Sequence, residues 1–290
     1  MELTIQNEHL RVAAETLGAQ LQYIRGIDGT EYLWQGNAAF WKDRAPVLFP
    51  YVARLTGGQY IYKGKYYSMS IHGFAAASEF RAEQIDSAEM RFHLLSSPET
   101  LQMYPFPFHF TVSYRLEQNC LIQTYTVMNT GTETQYFGIG SHHGFNVPLA
   151  PDLSFEDYAL QFEPDAKPVQ LGLSPDCFIT GADVPFSLTN GALPLTHDLF
   201  DLDAIVLAQT GGSIRLCSLL DPHSVTVDYQ GTPYLALWHT PKTQAGYVCI
   251  EPWFSLPSRK GVVEDLANQP SLLSLEPGAC HISTLCFTFT

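Results

Sequence analysis

The pattern of apolar and polar positions along the chain is dominated by alternation with a period of two residues. In residues 108–115, large apolar side chains occupy the even positions, whereas histidine, threonine, serine and arginine occupy the odd positions. This pattern predicts a β-strand with one buried face and one exposed face. The same alternation recurs at 90–94, 158–162, 214–216, 225–229 and 285–289. Strands are therefore predicted along the whole chain.

Glycine-containing turn signals separate these segments and predict tight connections between antiparallel strands. Residues 60–67 form one such pattern and predict a β-hairpin. The only helix candidates are short, at 87–90 and 262–268. No linker divides the chain, although 164–194 is rich in proline, glycine and aspartate. We therefore expect an all-β fold, one large single-domain antiparallel β sandwich over residues 1–290.

The composition narrows the classes of function. Charged residues make up only 15% of the chain, too few for long salt-bridged helices or coiled coils, and the 46% of hydrophobic residues excludes wholesale disorder. Lysine and arginine number 15 against 29 aspartates and glutamates, which gives a net charge of −14. Because an acidic surface repels phosphate groups, we expect neither nucleic acid nor an anionic membrane as a partner.

The cysteines and the N-terminus bear on the cellular compartment. The six cysteines form no Cys-x-x-Cys motif and have no histidine at the spacing of a zinc site. Most lie in alternating apolar segments, where buried free thiols are the simplest interpretation. The first residues lack the basic and apolar regions of a signal peptide, and no apolar run has the length of a transmembrane helix. Together these features predict a reduced, cytoplasmic, metal-free protein.

Three parts of the chain concentrate histidine, carboxylate, arginine and aromatic residues beside glycine or proline. They are residues 49–54 together with 71–74, residues 140–148, and residues 249–254. Carboxylates and imidazoles can bond sugar hydroxyls, while aromatic rings offer an apolar face to sugar C–H groups. Because these segments lie at predicted strand ends, where loops carry function, they favour a carbohydrate-binding groove.

In their order along the chain, these segments resemble the aldose 1-epimerase (galactose mutarotase-like) family, and within it the LacX-like branch. Ala45-Pro46-Val47-Leu48-Phe49-Pro50 leads to Arg54 and then to His72-Gly73-Phe74-Ala75, which is similar to the family's first substrate-binding segment. Residues 140–146 are similar to its Gly-His-Pro-x-Phe-Asn segment. Shorter similarities follow at 103–106, 200–204, 237–238 and 249–253. The ordered set spans nearly the whole chain and implies the galactose mutarotase-like supersandwich fold.

The resemblance implies mutarotation, the interconversion of the α and β anomers of a free aldose by acid–base ring opening and reclosure. At the matching positions Glu251 is the base and His142 is the acid. Arg54, His72 and Asp203 fall at positions that bind and orient the sugar hydroxyls. Two groups that titrate near neutrality suit such catalysis, and the reaction needs no cofactor.

Several of these assignments have alternatives. His143 competes with His142 for the position of the acid, and Asp201 competes with Asp203 for that of the aspartate. Trp253 is a candidate for stacking on the sugar, with a place in the core as the other interpretation. His239 is either a further pocket residue or, as we favour, an exposed one.

Two residues depart from the pattern of the branch. Ala76 stands where the branch usually has arginine, and His143 stands where the family commonly has proline. Arg54 also has an alternative interpretation, as the partner of a surface carboxylate. The identity of the sugar therefore stays open.

Three other functions compete with a free-aldose mutarotase. A hexose-6-phosphate mutarotase could use Arg259 and Lys260 to bind the phosphate. A non-catalytic carbohydrate-binding sandwich would keep the fold without turnover, and a glycosidase or lyase could use Glu251 with Asp203 as a carboxylate pair. The expected partner is a small-molecule monosaccharide substrate, and the chain is expected to be a monomer or a homodimer.

Overall fold

The computed structural model describes residues 1–290, which form 24 β-strands and one α-helix. The strands are β1 (Glu2–Gln6), β2 (Leu10–Glu15), β3 (Leu21–Gly26), β4 (Val47–Leu48), β5 (Gln59–Tyr62), β6 (Lys65–Ser68), β7 (Arg81–Gln84), β8 (Glu89–Leu95), β9 (Phe108–Glu117), β10 (Cys120–Asn129), β11 (Gln135–Phe137), β12 (Gly140–Ser141), β13 (His143–Asn146), β14 (Ala159–Phe162), β15 (Val169–Gln170), β16 (Val184–Pro185), β17 (Ala192–Pro194), β18 (Ile205–Ala208), β19 (Ser213–Cys217), β20 (Ser224–Asp228), β21 (Tyr234–Trp238), β22 (Tyr247–Trp253), β23 (Leu273–Leu275) and β24 (Cys280–Phe289). The helix α1 spans Pro98–Met103, and short 3-10 helices occupy Thr56–Gly58, Ala75–Ala77, Phe155–Asp157, His197–Phe200 and Leu266–Asn268.

Two large antiparallel sheets account for most of these strands. The nine-stranded sheet has the order β17-β14-β19-β20-β24-β10-β9-β8-β7, and the eight-stranded sheet has the order β16-β15-β18-β21-β22-β12-β4, with β13 also paired to β22. Three small sheets, β1-β2-β3, β11-β23 and β5-β6, complete the fold. This arrangement confirms the predicted all-β antiparallel sandwich.

The hydrophobic core lies between the two large sheets. Phe49, just after β4, stacks on Phe110 of β9 with ring centroids 4.6 Å apart. At another point Phe287 of β24 packs against Phe145 of β13. One cluster of 60 buried residues runs from Ile5 to Phe289. The alternating residues of β9 are buried at every even position as predicted, because that face of the strand is turned to the core.

The predicted elements differ from the structure mainly in the helices. The hairpin at 60–67 is confirmed as β5 and β6. The prediction of a helix at 87–90 is wrong. Met90 is a core residue of β8, whose alternating side chains favour a strand. Of the helix expected at 262–268, only one 3-10 turn forms. Helix α1 was not predicted, although Ser97 caps it by accepting a hydrogen bond from the Thr100 N–H.

The cysteines also differ from expectation. Cys120 of β10 and Cys286 of β24 form a disulfide, so the prediction of free thiols is wrong for this pair. The two residues are 166 positions apart and meet only because their strands are neighbours in the nine-stranded sheet. Among the free cysteines only Cys249 is fully buried, and Cys280 is exposed.

No helix of the structure combines the length and the apolar character that a membrane crossing requires.

Candidate active site

The floor of the candidate site is one face of the eight-stranded sheet around β22. Gly140 pairs with Trp253 and His143 pairs with Ile250, so this antiparallel register sets His142 across from Glu251. Side chains in opposed positions point to the same face and lie close together. The distance from the His142 Nε2 to the Glu251 Oε1 is 3.4 Å. Both residues are buried. The sequence predicts Glu251 at the end of a strand, whereas in the structure it lies inside β22.

Glycines on both sides of His142 make room for tryptophan rings. A β-carbon at Gly140 would lie 2.9 Å from the Trp253 ring, and one at Gly144 would lie 3.0 Å from the Trp41 ring. The first separation is shorter than real β-carbon contacts and the second is tighter than most of them, so the two glycines leave room for the indole rings of Trp253 and Trp41. Trp41 lies over the His142 ring, with centroids 4.8 Å apart, and Trp238 meets it edge-on at 5.6 Å.

Trp253 contacts the carboxyl group of Glu251 directly. Its indole Nε1 donates a hydrogen bond to the Glu251 Oε2 at 3.2 Å, while the other oxygen, Oε1, faces His142. The two residues are two positions apart on β22 and therefore point to the same side. This contact fixes the rotamer of Glu251 relative to the imidazole.

His72 reaches the cavity from a strained turn. Its backbone has φ 64°, and the following Gly73 has φ 78°. A β-carbon at Gly73 would collide with the carbonyl oxygen of Phe49, so only glycine lets the turn lie against that segment. The His72 Nδ1 accepts a hydrogen bond from the Ala53 N–H at 3.1 Å. Burial, with the nearby Arg54 charge, lowers the pKa of His72 to about 4, so the neutral ring carries its proton on Nε2.

Two hydrogen bonds hold the carboxylate of Asp203. Its Oδ1 accepts from the Ala204 N–H at 2.9 Å, and its Oδ2 accepts from the Cys177 thiol at 3.2 Å. Burial and the neighbouring carboxylate raise the pKa of Cys177 to about 11, so the thiol stays protonated and remains a donor. Asp201 is exposed and lies outside the cavity.

All six residues that the sequence assigned to the site line one cavity of about 390 Å³. They are Arg54, His72, His142, Asp203, Glu251 and Trp253. Arg54 is exposed and has no carboxylate within 4.0 Å, so the alternative of a surface ion pair does not apply.

Among the other residues of the cavity, four polar or aromatic ones were not predicted as site residues. They are Trp41, Asp43, Cys177 and Trp238. Trp238 lies in one of the segments that resemble the family, which was the available signal. It shares a face of β21 with Ala236. Trp41, Asp43 and Cys177 come from loops whose path the sequence pattern does not determine.

Two other histidines lie outside the cavity. His143 is fully buried, and its ring packs against Phe287 with centroids 4.5 Å apart, on the core side of the sheet. His239 was expected to be exposed, which is wrong: it is fully buried and bonds His197 at 3.1 Å. Adjacent strand residues face opposite sides, so His142 and His143 cannot share one site.

Electrostatics favour the neutral forms of the two residues at the floor. Burial raises the pKa of Glu251 well above its ordinary value of 4.5. Burial, and after it the nearby His72, lowers the pKa of His142 well below 6.5. Removing water from a charge is costly, so burial favours the form of the pair in which the single proton is on Glu251. Such a pair can give one proton and take another at two points of a bound molecule.

Comparisons with known proteins assign this chain to a class. A family model described as Aldose 1-epimerase matches residues 1–279. The chain therefore belongs to the aldose 1-epimerase family, and it is an isomerase that acts on a sugar. This confirms the family resemblance that the sequence motifs indicated.

More specific similarity lies in the LacX-like branch. Protein LacX of Lactococcus lactis subsp. lactis, in a chromosomal and a plasmid form, is 31% identical over 286 residues, covering 96% of this chain and 95% of the relative. The X-ray structure of a galactose mutarotase related enzyme from Lactobacillus acidophilus has a TM-score of 0.95 at 32% identity, over 100% of this chain and 97% of that one. A galactose mutarotase-like protein from Lactobacillus casei ATCC 334 has a TM-score of 0.94 at 32% identity, over 100% of both chains.

Proposed function

We propose that the protein interconverts the α and β anomers of a free, unphosphorylated aldose, with Glu251 as the base and His142 as the acid. The observation that carries this proposal is the opposed pair itself. The Glu251 Oε1 and the His142 Nε2 are 3.4 Å apart at the floor of a cavity whose other polar residues are suited to sugar hydroxyls.

Ring opening needs one proton removed and one proton delivered. In the reactive form Glu251 is ionised and His142 is protonated. The carboxylate takes the proton of the C1 hydroxyl, and the imidazolium gives its proton to the ring oxygen as the C1–O5 bond breaks. After rotation about the C1–C2 bond, the two transfers run in reverse and close the ring on the other face.

Burial of the pair favours the opening step. Glu251 and His142 are both charged before ring opening and both neutral after it. Their pKa shifts, which burial causes, stabilise the neutral forms. The hydrogen bond from Trp253 to the Glu251 Oε2 opposes this shift and supports the carboxylate that the reaction requires.

The other cavity residues bind and orient the sugar in this proposal. Neutral His72 donates from Nε2, and Arg54 donates from its guanidinium, which forms no ion pair with a carboxylate. Asp203 accepts from a hydroxyl with the lone pairs that Ala204 and Cys177 leave free.

The charges around the cavity support a free sugar over a sugar phosphate. Arg54 is the only lysine or arginine among the lining residues, whereas Asp43, Asp203 and Glu251 are acidic. The rival phosphate site is also weakened, because the Arg259 guanidinium donates to both carboxylate oxygens of Glu264, at 3.0 and 2.8 Å. Phosphate recognition usually needs an uncommitted basic fork.

Polarimetry of freshly dissolved α-D-glucose and α-D-galactose tests the proposal. The wild type should accelerate the approach to anomeric equilibrium, and Glu251→Gln and His142→Ala should each lose about 10²–10⁴-fold in rate. His143→Ala is the matched control, since it removes a neighbouring histidine outside the cavity and should keep the rate if it folds.

Glucose 6-phosphate in the same assay separates the rival substrate class. Faster relaxation of the phosphorylated sugar than of any free aldose would favour the hypothesis of a hexose-6-phosphate mutarotase over the leading proposal. Binding of free sugars without any acceleration would instead favour the non-catalytic sandwich.

A further inference from the structure

A buried cysteine lies beside the opposed pair and takes no part in the proposed reaction. Cys249 precedes Glu251 by two positions on β22, so both side chains point to the same face of the sheet. The ligand atoms of His142, Cys249 and Glu251 all lie within 4.8 Å of one another, and all three residues are buried. Cys249 itself is not among the residues that line the cavity.

The donor atoms of this cluster are those that zinc prefers. Imidazole nitrogen, thiolate sulfur and carboxylate oxygen are its usual protein ligands, and three of them leave a fourth position for water or another small ligand. The cavity supplies that fourth position, since His142 and Glu251 both line it. The sequence spacing of Cys249 and His142 resembles no zinc motif, and only the register of the sheet brings the residues together.

The geometry needs only a small adjustment. With zinc–ligand bonds of about 2.0–2.3 Å, neighbouring ligand atoms of a tetrahedron are about 3.3–3.8 Å apart. The 3.4 Å between the His142 Nε2 and the Glu251 Oε1 meets this condition, and the Cys249 sulfur, within 4.8 Å of both atoms, needs to approach by about 1.3 Å at most. Trp253 already bonds the second Glu251 oxygen, which orients Oε1 as a ligand.

We propose that His142, Cys249 and Glu251 bind a zinc ion, and that the bound ion inhibits the enzyme. Inhibition rests on the proposed function, because a metal on Glu251 and His142 removes the base and the acid together. Binding does not rest on it. The thiol and carboxyl protons pass to the buffer when zinc binds, and no redox step is involved.

Direct binding is the first test and is independent of activity. Metal-free wild type, prepared with a chelator, is titrated with zinc chloride against a chromogenic zinc indicator. We expect one zinc per chain with micromolar or tighter affinity, and a loss of about 100-fold in Cys249→Ala. Cobalt chloride should give a thiolate-to-cobalt charge-transfer band that this variant lacks. Cys280→Ala, which removes an exposed thiol, is the matched control and should bind as the wild type does.

Zinc inhibition of mutarotation is the second test. Zinc should slow the wild type, a chelator should restore the rate, and Cys249→Ala should keep the metal-free rate while resisting zinc. Cys249→Ser serves as a second variant, with thermal unfolding to verify its fold.

Three results would overturn the site. Equal zinc affinity in wild type and Cys249→Ala would mean an adventitious ion only, equal inhibition of the two would place the effect elsewhere, and acceleration by zinc would reverse the proposed role. Failure of the proposed function has a different signature, namely no mutarotation by the metal-free wild type. In that case the indicator titration and the cobalt band still decide the site.

Discussion

At the scale of single residues, burial sets the protonation of the pair at the cavity floor. Glu251 is 1% exposed and His142 is 9% exposed, and each pKa moves toward the neutral form. Because one proton is enough to keep both residues neutral, the pair can exchange it between them across 3.4 Å. The state with one proton is the one that the proposed reaction uses.

The pH dependence of mutarotation follows from these directions. On the acid side a second proton inactivates the pair, and because burial lowers the pKa of His142, this loss should occur below pH 6.5. On the alkaline side the single proton leaves, and because burial raises the pKa of Glu251, this loss should occur well above pH 4.5. The catalysed kcat/KM, corrected for the spontaneous reaction, should therefore depend on pH as a bell, with its acid limb below pH 6.5 and its alkaline limb well above pH 4.5. An acid limb centred above the ordinary pKa of histidine would contradict this account.

Cys177 is expected to act as a positioning residue for Asp203. Cys177→Ala removes the thiol that donates to the Asp203 Oδ2, so we expect KM to rise about 2- to 10-fold with little change in kcat. Cys177→Ser keeps a donor and should restore most of the affinity. Steady-state polarimetry at several sugar concentrations measures both constants. A fall in kcat alone would argue against positioning of the bound sugar.

At the scale of elements, glycines at close approaches let the strands and turns assemble the site. Gly140 and Gly144 leave space for Trp253 and Trp41, and Gly73 lets its turn pack against the Phe49 carbonyl. The sequence shows these glycines inside motifs, and their physical role is steric in each case. Larger residues at these positions would displace His142 or His72 from the cavity.

Gly73→Ala tests this steric role with Gly64→Ala as its control. Both glycines have positive φ, but a β-carbon at Gly64 meets nothing within 4 Å. Gly64→Ala should therefore cost only about 1 kcal/mol in the free energy of unfolding and leave mutarotation unchanged. Gly73→Ala should cost about 1–3 kcal/mol and also raise KM, because His72 moves. Denaturant unfolding and polarimetry measure the two effects, and equal behaviour of the variants would exclude the collision with Phe49.

At the scale of the whole molecule, one continuous core and a few polar ties join the parts of the chain. The cluster of 60 buried residues from Ile5 to Phe289 leads us to propose that residues 1–290 form a single domain. His223 links the loop after β3, in the small sheet β1-β2-β3, to the loop between β19 and β20 of the nine-stranded sheet. Its Nε2 lies 2.9 Å from an Asp28 oxygen, and its Nδ1 lies 2.7 Å from an Asp221 oxygen.

This tie predicts a pH-dependent stability. The hydrogen bond to Asp28, with further support from Asp221, raises the pKa of His223 above its ordinary value of 6.5. The stabilisation is therefore complete below pH 6.5 and is lost as the pH rises through the higher folded-state pKa. His223→Asn should remove about 1 kcal/mol at the acid end of this window and flatten the dependence. Denaturant unfolding at a series of pH values from below 6.5 upwards measures the free energy of unfolding. The control is His9→Asn, which replaces an exposed histidine and should leave its pH dependence unchanged.

Local patterns in the sequence were enough to predict many of the strands and turns, and its motifs indicated the family. Alternation at 108–115 and the hairpin at 60–67 are local properties, because a strand's side chains face opposite sides and a tight turn needs particular residues. The motifs were enough to select the six residues that meet in the cavity. They could not show which neighbouring side chains cover or support those residues.

Which distant residues face one another became clear from the three-dimensional structure alone. The pairing of Glu251 with His142, the nearby Cys249 sulfur and the bond between Cys177 and Asp203 depend on strand order and loop path. The disulfide between Cys120 and Cys286, which are 166 residues apart in the sequence, depends on the same strand order. Register and strand order arise from packing of the two sheets over a shared core, a collective interaction that no short segment encodes.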